Sequence, residues 1–174
     1  MLTASTISTL PYCLINGIIC GILGGLFVKI NCWICIKRKK YITRKCVKPL
    51  EASFFVLLTV AVFFWLPKLY RVCRDVDDVA NANKKLMVTY DCEKGQYNPF
   101  ASLFFNSEGD ALKSILSSFE GPGGINADLK HMLIFLVVWY ILPIITYGVW
   151  VPAGLFVPGI VIGVSVGAVN QLLH

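Results

Sequence analysis

The run Trp150-Val-Pro-Ala-Gly-Leu-Phe-Val-Pro-Gly-Ile-Val-Ile-Gly163 holds the residues best suited to chemistry in this chain of 174. Within it, Gly154-Leu155-Phe156-Val157-Pro158 reads as a helix start set inside an apolar stretch. A helix N-terminus leaves backbone N–H groups without intrahelical acceptors and carries a partial positive charge, so it can hold an anion without lysine or arginine. Such a site can be selective without binding too tightly. Spacing alone leaves a second reading open, a broken, proline-punctuated membrane helix with no ligand.

The other reactive side chains have plainer readings. Cys32-Trp-Ile-Cys35 has C-x-x-C spacing, but it lies on an apolar helix with no second ligand pair and no βαβ context. Both cysteines read as small hydrophobes in protein or lipid, so neither a metal site nor a redox site is assigned. His131 stands at the polar start of an apolar run and reads as a satisfied interfacial histidine rather than a proton relay. Glu51 sits near a helix start, where a negative charge favours the positive end of the dipole. No acid/base pair stands beside the cysteines, and no catalytic residue is assigned.

The elements that carry these residues are apolar and long. Hydrophobic residues make up 56% of the chain, and the charges are gathered into two stretches, a membrane composition. Membrane helices are expected at about 10–36, 49–66, 129–150 and 156–174. The third would be about 33 Å long at 1.5 Å per residue, enough to cross the hydrocarbon core. Pro67 is expected to stop the second helix, and Pro143 to kink the third or end its regular part. Gly17-x-x-x-Gly21-x-x-x-Gly25 and Gly159-x-x-x-Gly163-x-x-x-Gly167 keep one face of the first and last helices small, which implies close helix neighbours.

Between the first two helices, residues 37–48 hold Lys37, Arg38, Lys39, Lys40, Arg44, Lys45 and Lys48 with no acid. Short basic turns stay cytosolic and can touch anionic lipid heads. No aromatic platform accompanies them, which argues against nucleic acid. Residues 67–128 carry seven bases against nine acids, a net of −2, which suits the luminal or extracellular side. An ordered cap with a short helix from Asp110 to Phe119 is expected there. Cys73 and Cys92 both fall in this loop. If paired they would close about twenty residues and stabilise the cap by roughly 3 kcal/mol, but the sequence leaves the pairing open.

Taken together, these motifs resemble the CLC family of chloride channels and chloride/proton exchangers. Gly154 to Pro158 matches its G-x-F-x-P signature. Gly21-Ile-Leu-Gly-Gly-Leu-Phe27 with Asn31 resembles its glycine-rich helix before the basic turn. Tyr90-Asp-Cys-Glu-Lys-Gly-Gln-Tyr-Asn98 and Ala101-Ser-Leu-Phe-Phe-Asn106 resemble the luminal loop and short helix of the endosomal and lysosomal branch. The family's G-S-G-I-P motif is absent. Glu120-Gly121-Pro122 lacks the Gly-Lys that precedes the family's gating glutamate, so it reads as a loop turn.

The resemblance implies an all-α membrane protein, a fragment of the CLC transmembrane domain with a kinked or broken helix near the C-terminus. It implies chloride as bound and transported ion with no cofactor, held by Gly154, Leu155, Phe156, Val157 and Pro158. The amides of Leu155 and Phe156 would point at the ion. The partners implied are the lipid membrane and the remaining helices of a transporter or a full-length relative, in a family that is homodimeric. A multi-pass chain inserted without cleavage, in an endosomal or lysosomal membrane, is expected. Two other classes are weighed: a truncated, non-transporting subunit that docks on a full-length relative, and a membrane enzyme using Cys32 and Cys35.

Overall fold

The computed structural model describes residues 4–76, 84–117 and 128–172, with the side chains of residues 4–9 left aside. Helix α1 spans Ala4–Tyr41, α2 Val47–Leu69, α3 Pro99–Phe105, α4 Glu108–Ser117, α5 Leu129–Thr146 and α6 Phe156–Leu172. The only sheet among the described residues is a two-stranded pair, β1 Arg74–Asp75 and β2 Gln96–Tyr97, antiparallel with Arg74 opposite Tyr97. The fold is all-α. Among the described residues α1, α2 and α5 are long and apolar enough to cross a membrane, and α6 is a shorter apolar helix.

Several boundaries differ from those expected. Helix α1 runs on to Tyr41, so Arg38, Lys39 and Lys40 form its last turn, where positive charge favours the negative end of the helix dipole. Helix α2 begins at Val47 and continues through Pro67 to Leu69. Pro67 removes one donor, yet Tyr70 N–H still closes the last turn on the Leu66 carbonyl at 3.0 Å. Pro143 is likewise tolerated in the last turn of α5. That helix stops at Thr146 because Gly148 follows at φ +87°, a left-handed conformation that leaves the helical path. The cap helix α4 starts two residues earlier than expected, at Glu108, with Ser107 Oγ and Asp110 bonded at its start. Its expected end at Phe119 and Glu120-Gly121-Pro122 lie outside the described residues.

The core lies at the end away from the basic turn, where α3 and α4 pack on α5 and α6. Phe100, Leu103, Phe104, Ile115, Phe135 and Val161 are buried there, with the rings of Phe104 and Phe135 edge to face at 5.2 Å. The apolar spans of α1 and α2, by contrast, stay almost wholly on the surface.

The cap between α2 and α5 is tied by a disulfide between Cys73 and Cys92, whose Cα atoms are 5.8 Å apart. Arg74 reaches Asp128 at 2.8 Å, joining the cap to the start of α5. Asn98 organises α3. Its side-chain oxygen accepts from Phe100 N–H (3.0 Å) and Ala101 N–H (3.1 Å), and its amide donates to the Pro67 carbonyl (3.4 Å). Pro99 then takes the first helical position, where its missing N–H costs nothing. Asn98→Ala is expected to lower stability by about 1–2 kcal/mol. Thermal unfolding in detergent checks it, and an unchanged midpoint would remove the cap from the account.

Candidate functional site

Helix α6 begins at Phe156, and its first helical bond runs from Gly159 N–H to the Leu155 carbonyl at 3.1 Å. The amides of Leu155, Phe156 and Val157 therefore precede the hydrogen-bond ladder, and Pro158 contributes no N–H. Their surroundings are open in this chain. Phe156 is 79% exposed, and nothing among the described residues lies within 4 Å of a Cβ built on Gly154.

Two clefts meet at this helix start. The larger, of about 700 Å³, runs between α2 and the start of α6 and is lined by Phe55, Thr59, Thr146, Tyr147, Gly154 and Pro158 among others. The smaller, of about 250 Å³, lies between α1 and α6 and touches Gly24, Leu155, Pro158 and Gly159. Neither cleft is lined by lysine or arginine. The larger is lined by one carboxylate, Glu108, so a small anion at the helix start would meet backbone dipoles and ring edges, with no formal positive charge to hold it.

The link from α5 to α6 is held from the side by α1. Asn31 Nδ2 donates to the Ile144 carbonyl at 2.9 Å and to the Tyr147 carbonyl at 3.1 Å. Arg38 donates to the Tyr147 carbonyl at 2.8 Å and also to the Ile145 carbonyl. These bonds satisfy carbonyls that the end of α5 leaves without helical partners. Tyr147 in turn donates its hydroxyl to the Ala153 carbonyl. Lys48, on α2, places its ammonium 3.2 Å from the centre of the Trp150 ring.

Arg38 is itself paired with Glu51, Nε to Oε1 at 2.6 Å, with side chains 12% and 10% exposed. Glu51 lies beyond the first turn of α2 and acts as a counter-charge across helices, not as the helix-start charge its position in the sequence suggests. No local pattern marks this pair, because Arg38 reads as one of seven bases and its acceptors on α5 lie more than a hundred residues away.

The remaining candidates do not face the start of α6. Cys32 is exposed. Cys35 is half-buried, with its Sγ 3.7 Å from Asn31 Oδ1 and 3.8 Å from the Tyr147 carbonyl, and neither thiol is in a disulfide. His131 is buried in the core end, its Nδ1 3.4 Å from Asp128 and its ring 5.0 Å from Phe100.

The family model for voltage gated chloride channels matches residues 2–174. The chain belongs to this family. Among its CLC relatives, H(+)/Cl(-) exchange transporter 7 of Mus musculus is 33% identical over 164 residues, 94% of this chain and 20% of the mouse protein. The Homo sapiens protein of the same name is 34% identical over the same length. Chloride channel protein CLC-d of Arabidopsis thaliana is 31% identical over 163 residues, covering 87% of this chain and 20% of that protein. The chain thus spans about a fifth of the length of the curated relatives it matches. Family membership and the three apolar helices make it an integral membrane CLC segment.

Proposed function

We propose that this CLC segment serves chloride transport by presenting the start of α6 to the ion, with the amides of Leu155 and Phe156 as donors and Gly154 allowing close approach. The observation that carries this reading is the helix start itself. Its amides precede the helical ladder, and the clefts that flank them, one lined by Gly154, Val157 and Pro158 and the other by Leu155, contain no basic side chain, Glu108 being the one charged residue at the larger. Phe156 would add the positive edge of its ring, and Val157 and Pro158 would form the first turn behind it.

The basic residues at the α1–α2 turn face the cytosol in this reading, and the disulfide-tied cap lies on the luminal side. Cys73–Cys92 fits that orientation, since disulfides persist in oxidising compartments. The stretches at residues 90–98 and 101–106 favour, by resemblance, the endosomal or lysosomal branch. The exposed faces of α1 and α2 and the glycine stripes are surfaces for further helices of a transporter, or of a full-length relative on which the segment docks. No Cβ built on Gly17, Gly21, Gly163 or Gly167 meets a described atom within 4 Å, so the described residues do not fill those stripes.

A chimera tests the proposal. The matched part of mouse exchange transporter 7 is replaced by this segment, and Gly154→Ala is compared with the parent chimera for nitrate-over-chloride selectivity. A shift of roughly three- to tenfold is expected if the added methyl crowds the ion, as for loss or displacement of a backbone donor. Unchanged selectivity with normal surface expression would overturn the anion-site reading.

A further inference from the structure

We infer that Arg38 is a positioning residue for the anion site, acting through Tyr147 on the link that delivers the start of α6. This rests on the anion-site reading above. Among the described residues Arg38 is the side chain that ties α1, α2 and the end of α5 together at this point. Its Nε is paired with Glu51, its Nη1 donates to the Tyr147 carbonyl at 2.8 Å, and its Nη2 donates to the Ile145 carbonyl. The guanidinium lies 4.9 Å from the centre of the Phe55 ring, which limits its freedom further. A planar fork holds several acceptors in a fixed arrangement, which an ammonium on a flexible stem does not.

Tyr147 carries the restraint onward. Its carbonyl is fixed by Arg38 and Asn31, its ring sits edge-on to Phe27 at 6.5 Å, and its hydroxyl holds the carbonyl of Ala153, the residue before Gly154. The chain between leaves α5 through Gly148 at φ +87° and folds on itself, with Val151 N–H bonded to the Val149 carbonyl at 2.7 Å. Both ends of this fold are thus referred to one tyrosine, and the tyrosine to one arginine.

The Glu51 pairing explains how Arg38 can serve the proposed anion site without drawing the ion to itself. An arginine without a counter-charge would attract the ion and hold it. With Glu51 at 2.6 Å the pair is nearly neutral from a distance, so Arg38 contributes geometry and little net field. Neither Arg38 nor Glu51 lines the two clefts at the helix start.

The test uses the same chimera, in the membrane and in its assembled state. Arg38→Gln, Arg38→Lys, Tyr147→Phe and the double variant Arg38→Gln/Tyr147→Phe are compared for nitrate-over-chloride selectivity and surface level, with Gly154→Ala alongside. Asn170→Ala, which breaks the 2.9 Å bond to Asn16 at the far end of α6, is the packing control. Arg38→Gln and Tyr147→Phe are each expected to shift selectivity about threefold or more in the same direction, with the double variant no further than the larger single one. Arg38→Lys should stay shifted, because it restores the charge and not the fork. Asn170→Ala should leave selectivity alone.

Rescue by lysine would overturn the inference in favour of a simple charge effect. Unchanged selectivity in Tyr147→Phe would also overturn it. That variant keeps Arg38 and Glu51, so it carries the test even if Arg38→Gln fails to reach the membrane. If Gly154→Ala shifts selectivity and the Arg38 and Tyr147 variants do not, this inference alone falls. If Gly154→Ala does not shift it either, the anion-site reading falls and takes the inference with it.

Discussion

Gly148→Ala is expected to lower the stability of the assembled protein by about 3–5 kcal/mol, enough to unfold a marginal membrane domain. Two costs combine. The residue stands at φ +87°, where an L side chain is strained by about 1–3 kcal/mol. The added Cβ would also collide with Cys35 Sγ, on a helix whose neighbouring residues Asn31 and Arg38 are bound to the same part of the chain. Thermal unfolding in detergent checks this, with Gly24→Ala as the comparison, since a Cβ there meets nothing within 4 Å among the described residues. Cys35→Ala removes the colliding sulfur and should recover the steric share while the backbone share remains. A Gly148→Ala protein that melts like the parent would show that the link adopts another path.

Glu51→Ala is expected to cost about 3–5 kcal/mol, the usual penalty for leaving a buried charge without its partner. At 12% exposure water reaches the Arg38 guanidinium poorly. Glu51→Gln keeps an acceptor near Nε and should cost less. Replacing both members, as in Arg38→Met/Glu51→Leu, should restore much of the stability, because paired desolvation is avoided along with the lost attraction. A double-mutant cycle in denaturant measures this coupling directly. A near-zero interaction energy would mean that the pair contributes nothing beyond its separate packing.

Much of the architecture is legible in the sequence because the bilayer imposes it. Long apolar runs, a basic turn without acids and a near-balanced polar stretch lead to an all-α membrane chain before any contact is known. The start of α6 is legible for a local reason, since glycine, proline and apolar neighbours mark a helix N-terminus wherever they occur. What escapes is whatever depends on residues far apart. Pro67 reads as a stop, yet α2 continues past it, because one missing donor is a small loss beside the cap that packs on its end through Asn98. The exit at Gly148 and the Glu51 pairing escape for the same reason, since left-handed geometry and cross-helix partners leave no periodic mark. The glycine stripes are a separate case. They announce close neighbours, and the described residues supply none at Gly17 or Gly163.

The bond from Arg38 to Tyr147 joins residues 109 positions apart, and this sets a timetable. A chain made N-terminus first has α1, α2 and the Arg38–Glu51 pair available roughly 5–20 s before Tyr147 leaves the ribosome, at ordinary rates of synthesis. Throughout that interval the guanidinium has its counter-charge and lacks its carbonyl acceptors. The turn into α6 can take its final shape only when α5 arrives and docks. In the proposed reading the anion site is therefore among the last parts of this segment to mature, and a nascent copy has α1 and α2 well before it has the start of α6 in place.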